Sequence, residues 1–365
     1  MHIDSVQLSR VRLSGLTSCS GAPLESIVVA LASGDQLGWG EATLGVGPSN
    51  SPEWAAGAFA CLRDWLAPAI VGRSISSGKE LQQALQPFQG NARAKSALDI
   101  AWWNLAAQEQ KKPLFEVLGG AAVAIPLETS VNATESIDEL LVEVGTALAA
   151  GYGTVALKFR PGWDIQMVKA VRESFPAEPI AIDCDGLCML GQQEMFYRLE
   201  DFFLKYIEQP FGADDLVGHA MLQQAIRTPI CLDQSITSVE RAEQAIDLGS
   251  CRRMRIDVAR VGGLTPALAI REACEDAHLA WAIGGAPQGV LASLSAVALA
   301  TLPNHAAAMA FARNPEPWAL WENAAPLESL KAGKLTLSVA DVPGPGVAID
   351  LNQLADAAVD QATIC

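Results

Sequence analysis

Val155-Ala-Leu-Lys158, Ile180-Ala-Ile-Asp183, Lys205-Tyr-Ile-Glu208, Ile230-Cys-Leu-Asp233 and Met254-Arg-Ile-Asp257 follow one another through the middle of the chain. Each is a short run, mostly apolar, that ends on a charge, and the final residues are spaced 25, 25, 25 and 24 apart. Short Ile/Leu/Val-rich runs separated by helical stretches read as the strands of βα units. The constant interval is one such unit, so every charge returns to the same structural position, the C-terminal end of a strand. A strand-end charge taken singly is most simply a solvated one. Five in phase point to a shared site at the face where barrel enzymes place their catalytic groups.

The same rhythm extends in both directions. It predicts strands at 125–131, 154–159, 179–183, 203–208, 229–233, 254–257, 279–283 and 307–311, with room for a helix between each pair. Eight units close into a (β/α)8-type barrel, an α/β fold, over residues 121–325. An open doubly wound sheet is the alternative, but no G-x-G-x-x-G opens any of these helices. Residues 1–120 read instead as an α+β capping domain. Strands at 26–32 and 36–41 flank the turn signal Gly34-Asp35 as a hairpin. Ser51-Pro-Glu53 has the form of a helix start. An apolar helix over 92–110 follows, and Gly119-Gly120 stops the segment. Residues 326–365 leave the barrel rhythm, and Pro343-Gly-Pro-Gly346 before Val347-Ala-Ile-Asp350 reads as a return to the capping domain.

At 365 residues, with half of them apolar, the chain has material for about two domains. Lys plus Arg number 25 against 41 Asp plus Glu, a net charge of −16. So acidic a chain repels phosphate backbones and anionic lipid, so no nucleic-acid or membrane partner is expected. The N-terminus lacks the apolar core of a signal peptide, and no stretch has the ~18 uninterrupted apolar residues of a membrane span. The expectation is a cytoplasmic enzyme, with a homo-oligomer possible. The eight cysteines form no C-x-x-C pair and read as reduced, buried thiols. The four histidines lack the spacing of zinc ligands.

Asp183, Glu208 and Asp233 at neighbouring strand ends repel one another unless a cation sits among them. Oxygen-only ligands that leave room for water and substrate suit Mg²⁺. A lysine beside that cation, Lys158, has its protonated form disfavoured and so becomes a base at neutral pH. Together they equip the site to remove a weakly acidic proton next to a carboxylate, with the cation stabilising the enediolate.

Beyond these residues, Gly38-Trp-Gly-Glu-Ala42, Leu157-Lys-Phe-Arg-Pro-Gly-Trp-Asp164, Ile207-Glu-Gln-Pro210, Thr228-Pro-Ile-Cys-Leu-Asp-Gln-Ser235 and Arg260-Val-Gly-Gly263 resemble the enolase superfamily. Within its muconate-lactonizing branch, the chain is similar to the o-succinylbenzoate synthase/N-acylamino acid racemase group. The resemblance implies a barrel capped by the N-terminal domain with the tail. It also implies Asp183, Glu208 and Asp233 as Mg²⁺ ligands, Lys158 as the catalytic base, a small carboxylate substrate, and substrate-selecting loops at 15–22 and 45–51. Four positions depart from the group. Ala156 replaces the first lysine of Lys-x-Lys, Asp257 the opposing lysine, and Gln234 the glutamate after the third ligand, while Gln288 aligns with a further glutamate. The opposing acid/base position, Asp257, is therefore altered, and a net charge of −1 remains where the group is balanced. Arg255, two residues before Asp257 on the same face, is expected to pair with it, and Arg160 to meet substrate or solvent. With Lys158 as the one competent base, dehydration by a lyase similar to o-succinylbenzoate synthase is favoured. A racemase, epimerase or cycloisomerase, or a weakly active paralogue, is the alternative.

Overall fold

The computed structural model describes residues 1–17, 21–49, 51–284, 289–305, 309–310, 321–322, 327–331, 334–339, 341–344 and 346–365. The first domain holds strands β1 (Ser5–Thr17), β2 (Pro23–Ser33) and β3 (Gln36–Gly45), then helices α1 (Ala55–Cys61), α2 (Gly78–Leu85), α3 (Ala92–Glu109) and α4 (Leu114–Val117). The hairpin of β2 and β3 forms with its turn at Gly34-Asp35, as the sequence predicts. Strand β2 is buried on both faces. Ile27, Val29 and Leu31 pack on α3, whereas Leu24 and Val28 join Val290 and Leu291 of the barrel domain. Gly38 and Gly40 let α3 lie flush on β3, because a Cβ there would sit 2.2 Å and 2.0 Å from the carbonyls of Ala101 and Ala97.

Glu53 plays a different part from the one its sequence suggests. The first helix begins only at Ala55, and Glu53 accepts hydrogen bonds from the backbone N–H groups of Arg93 and Ala94. It satisfies the start of α3, whose own N-cap, Asn91, is left-handed and supplies no side-chain bond.

Downstream, parallel strands β4 (Ile125–Val131), β5 (Thr154–Lys158), β6 (Ile180–Asp183), β7 (Ile207–Glu208), β8 (Ile230–Leu232), β9 (Arg253–Ile256) and β10 (Ala280–Ile283) pair in sequence order. The helices between them are α5 (Ile137–Ala149), α6 (Asp164–Ser174), α7 (Gln193–Leu199), α8 (Leu216–Ala225), α9 (Val239–Leu248), α10 (Val258–Val261) and α11 (Leu264–Asp276). After α12 (Val290–Ala300), His305 bridges in parallel to Trp281 of β10, and β11 (Met309–Ala310) pairs in parallel with β4. The eighth segment thus touches both edges of the seven-stranded sheet, as a (β/α)8-type barrel requires. Of the strand expected at 307–311, only 309–310 lies within the described residues.

The tail is more divided than its composition suggests. After β12 (Trp321–Glu322), the hairpin β13 (Leu327–Lys331) and β14 (Lys334–Ser338) joins β4 antiparallel, on the barrel side. Strand β15 (Ala348–Ile349) pairs with β12. Only after α13 (Leu351–Ala357) does β16 (Ala358–Ile364) reach the capping sheet, antiparallel to β1. No helix among the described residues is long and apolar enough to cross a membrane. Among the described cysteines all thiols are free, and Cys184, Cys188, Cys231, Cys251 and Cys274 are buried.

Candidate active site

The strand ends are in register. Lys158 lies opposite Asp183, Asp183 opposite Glu208, and Glu208 opposite Cys231, with Asp233 two residues further along that strand. One pleat below, Ala156, Ala181, Tyr206 and Cys231 form a buried cluster of their own. Because side chains alternate along a strand, the residues two positions on point into the barrel as well. Lys158, Asp183 and Glu208 are therefore level with one another above small side chains and one tyrosine, and Asp233 follows Cys231 by two residues at the end of the next strand. The equal spacing seen in the sequence is the spacing of these strand ends.

Each carboxylate faces a cation. Lys158 Nζ is 2.6 Å from Asp183 Oδ2 and 4.0 Å from Asp185 Oδ2. Arg255 donates from Nε (3.0 Å) and Nη2 (2.8 Å) to one oxygen of Glu208, Oε2. Arg260 Nη1 is 2.8 Å from Asp233 Oδ1. Burial pushes Glu208 up to about 8, and the charges of Asp183, Asp233 and Glu128 add to this against the opposing pull of Arg255. Burial likewise raises Asp183, with Lys158 resisting. At Asp233 burial acts in the same sense but is outweighed by Arg260, so its carboxyl lies below the usual range. Burial disfavours the charged form of Lys158, yet Asp183, Asp185 and Glu208 outweigh it and raise the lysine.

Three carboxylates on adjacent strands make a hard-oxygen donor set that fits a divalent cation such as Mg²⁺. The charges of Asp183 and Asp233 both act against an ionised Glu208, a mutual repulsion that a cation among them would relieve. As the side chains stand, each turned to its own cation, no three acidic, His or Cys groups among the described residues converge closely enough to hold an ion.

Asp257 does not meet Arg255. Strand β9 ends at Ile256, and at Asp257 the chain turns into α10, so the side chain leaves the pleat and caps that helix. Its Oδ1 accepts from the N–H groups of Ala259 (3.0 Å) and Arg260 (3.2 Å). Its Oδ2 lies 3.4 Å from Arg93 of the capping domain and 3.5 Å from Arg260. Arg255 stays within the strand and points into the barrel. There it pairs with Glu128 of β4 as well as Glu208, and reaches the Tyr206 hydroxyl at 3.0 Å. Arg160 stacks 4.1 Å above the Trp163 ring and donates to the Thr134 carbonyl. Gln234 donates to Asp185, and Gln288 lies outside the described residues.

Sequence reasoning passed over three participants. Glu128 carries a visible signal, an acid within a strand whose barrel-facing side should be apolar. Arg93 carries none, because its partner is 164 residues away. The third is Asp99 of α3, fully buried, whose Oδ1 accepts from Thr265 N–H at the start of α11 and whose Oδ2 accepts from Gln82. Burial pushes Asp99 up to about 6. Glu41 of β3, likewise raised by burial, accepts from Leu291 N–H of α12. Two carboxylates of the capping domain thus receive the N-termini of two barrel helices, which sets the cap over the strand ends.

Residues 139–354 match the enolase C-terminal domain-like family, and residues 11–119 the mandelate racemase/muconate lactonizing enzyme N-terminal domain. An o-succinylbenzoate synthase of Bacillus subtilis is 33% identical over 89% of this chain and 86% of its own length. An N-succinylamino acid racemase of Thermus thermophilus is 37% identical over 73% of this chain and 72% of its own. Among solved structures, an enolase superfamily member from Listeria innocua superposes with a TM-score of 0.91 at 29% identity, covering 100% of this chain and 99% of that one. An L-talarate dehydratase from Polaromonas sp. JS666, complexed with Mg and L-glucarate, gives 0.82 at 25% identity over 100% and 99%.

Proposed function

The chain belongs to the mandelate racemase/muconate lactonizing enzyme family of the enolase superfamily, and on that footing we propose that it is a cytoplasmic, Mg²⁺-dependent lyase. In this reading Lys158 removes a proton α to the carboxylate of a small organic acid and water is then eliminated, as the resemblance to o-succinylbenzoate synthase suggests. Asp183, Glu208 and Asp233 hold the cation. When bound, Mg²⁺ supplies positive charge to the carboxylate ring and to the enediolate character that the substrate develops.

The other steps belong to side chains. Lys158 stands at the mouth end of its strand with 27% of its side chain exposed, so its amine has access to a ligand. Its ion pair with Asp183 keeps the proton on Nζ, and neutralising the carboxylate ring releases that hold. Nζ then accepts the α-proton and donates it to the departing hydroxide on the same face. One group closes the proton balance of a syn elimination, whereas racemisation needs a second donor opposite.

The engagement of Asp257 is the observation that carries the one-base reading. A carboxylate buried to 1% exposure, bound to two helix N–H groups and flanked by two guanidiniums, is poorly placed to deliver a proton to a substrate. The test compares o-succinylbenzoate formation with racemisation of N-succinylamino acids in the Mg²⁺-loaded protein. Dehydration is expected to exceed racemisation by about 100-fold or more, the lower range for one positioned acid/base group. Racemisation as fast as dehydration would replace this reading with the racemase.

A further inference from the structure

We propose that Arg255 is a tethered competitor of the divalent cation, and that its sharing between Glu128 and Glu208 sets the metal affinity of the site. The inference rests on the reading of Asp183, Glu208 and Asp233 as metal ligands. Arg255 places Nε and Nη2 on the same oxygen of Glu208 and leaves the other oxygen unbonded by it. Nη2 also faces Glu128 across the barrel, and Glu128 is the partner of Arg253 at 3.6 Å as well. The side chains of Arg255 and Glu128 are 4% and 1% exposed, so neither charge escapes to water when the other changes. Glu208 then belongs to a buried cluster of two acids, Glu128 and Glu208, and two arginines, Arg253 and Arg255. A cation entering the ring meets a carboxylate whose charge is already half answered by a fixed guanidinium that cannot diffuse away.

Glu128 weakens that grip by drawing the same Nη2. Without it, Arg255 is left to Glu208 and the cluster gains one unit of positive charge. Without both Glu128 and Arg255, the cluster keeps its net charge but Glu208 loses the guanidinium that holds its Oε2. The two substitutions therefore separate direct contact from overall charge.

Calorimetric titration of Mg²⁺ into the purified chain, with electron paramagnetic resonance of Mn²⁺ as a second probe, measures the affinity of each form without any turnover. Glu128→Gln is expected to weaken binding by at least about tenfold, a lower bound for the loss of one unit charge a few ångströms away at intermediate dielectric. Glu128→Gln combined with Arg255→Met is expected to bind about tenfold more tightly than wild type at unchanged net charge. Melting curves in chelator establish that each form is folded, and should the double variant fail to fold, Arg255→Lys, which keeps the charge but cannot place two donor nitrogens on Glu208, is expected to bind more tightly than wild type. Equal affinities in all folded forms overturn the role of Arg255 and leave the metal reading standing. An absence of divalent binding in every form, wild type included, overturns the metal reading and this inference with it.

Discussion

Two ion pairs share one ring of strand ends and differ in depth. Lys158 and Asp183 meet at the mouth, where 27% of the lysine side chain is exposed. Arg255 of β9 and Glu208 of β7 meet within the barrel, with Arg255 4% exposed and a second acid, Glu128, on its other side. A pair at the mouth can be broken and remade with water or substrate taking the place of a partner. A pair inside the barrel cannot, because removing either member strands the other in a medium that solvates it poorly. Charges drawn from the same sequence pattern are thus divided by depth, one pair available for chemistry and the other fixed in place.

The comparison is broken most directly by truncating the two cations. Lys158→Ala is expected to lower α-proton exchange by at least about 10³-fold, with a smaller stability loss than Arg255→Ala, because water at the mouth can take the place of the lysine beside Asp183. Arg255→Ala is expected to cost roughly 3–5 kcal/mol, because Glu208 loses its buried partner and faces Glu128, which keeps only Arg253 at 3.6 Å. Chemical denaturation and exchange rates measured on both variants check the pair of expectations. Similar stability losses in the two would remove the distinction by depth.

A smaller effect sharpens the same contrast at the domain junction. Asp99 is buried and pushed up to about 6, against an ordinary carboxyl near 4. The folded protein therefore favours its protonated form. The resulting stability is present in full below pH 4 and is lost as pH rises through 6. Asp99→Asn is expected to flatten that part of the pH–stability curve, by on the order of 2 kcal/mol between pH 4 and 7. Urea titrations of both proteins across this range measure it.

How much of this was legible in the sequence follows from how local each cause is. The barrel was legible because apolar strands and their terminal charges repeat at a fixed interval, and Lys158, Asp183 and Glu208 lie in register, with Asp233 two residues beyond the partner of Glu208. The partner of Arg255 was not. Two residues apart on one strand implies a shared face, but the strand ends between them, so Asp257 turns to cap α10 while Arg255 stays in the pleat. Glu53 failed as a local signal for the same kind of reason. A helix-start pattern states only that a carboxylate suits backbone N–H groups, and those of Arg93 and Ala94, forty residues on, were the ones it met. The sequence reads the tail as leaving the barrel rhythm, whereas the hairpin it adds to β4 depends on an open strand edge that no pattern within the tail records.

The central claim is that one base, Lys158, works from one face while Asp257 is withheld in its cap. Proton NMR of each enantiomer of an N-succinylamino acid, incubated in D₂O with the Mg²⁺-loaded protein, tests it directly. Loss of the α-proton signal is expected for one enantiomer only, and not in Lys158→Ala. Equal exchange of both enantiomers by the wild type would contradict the claim, since the second proton would have to leave toward a group opposite Lys158.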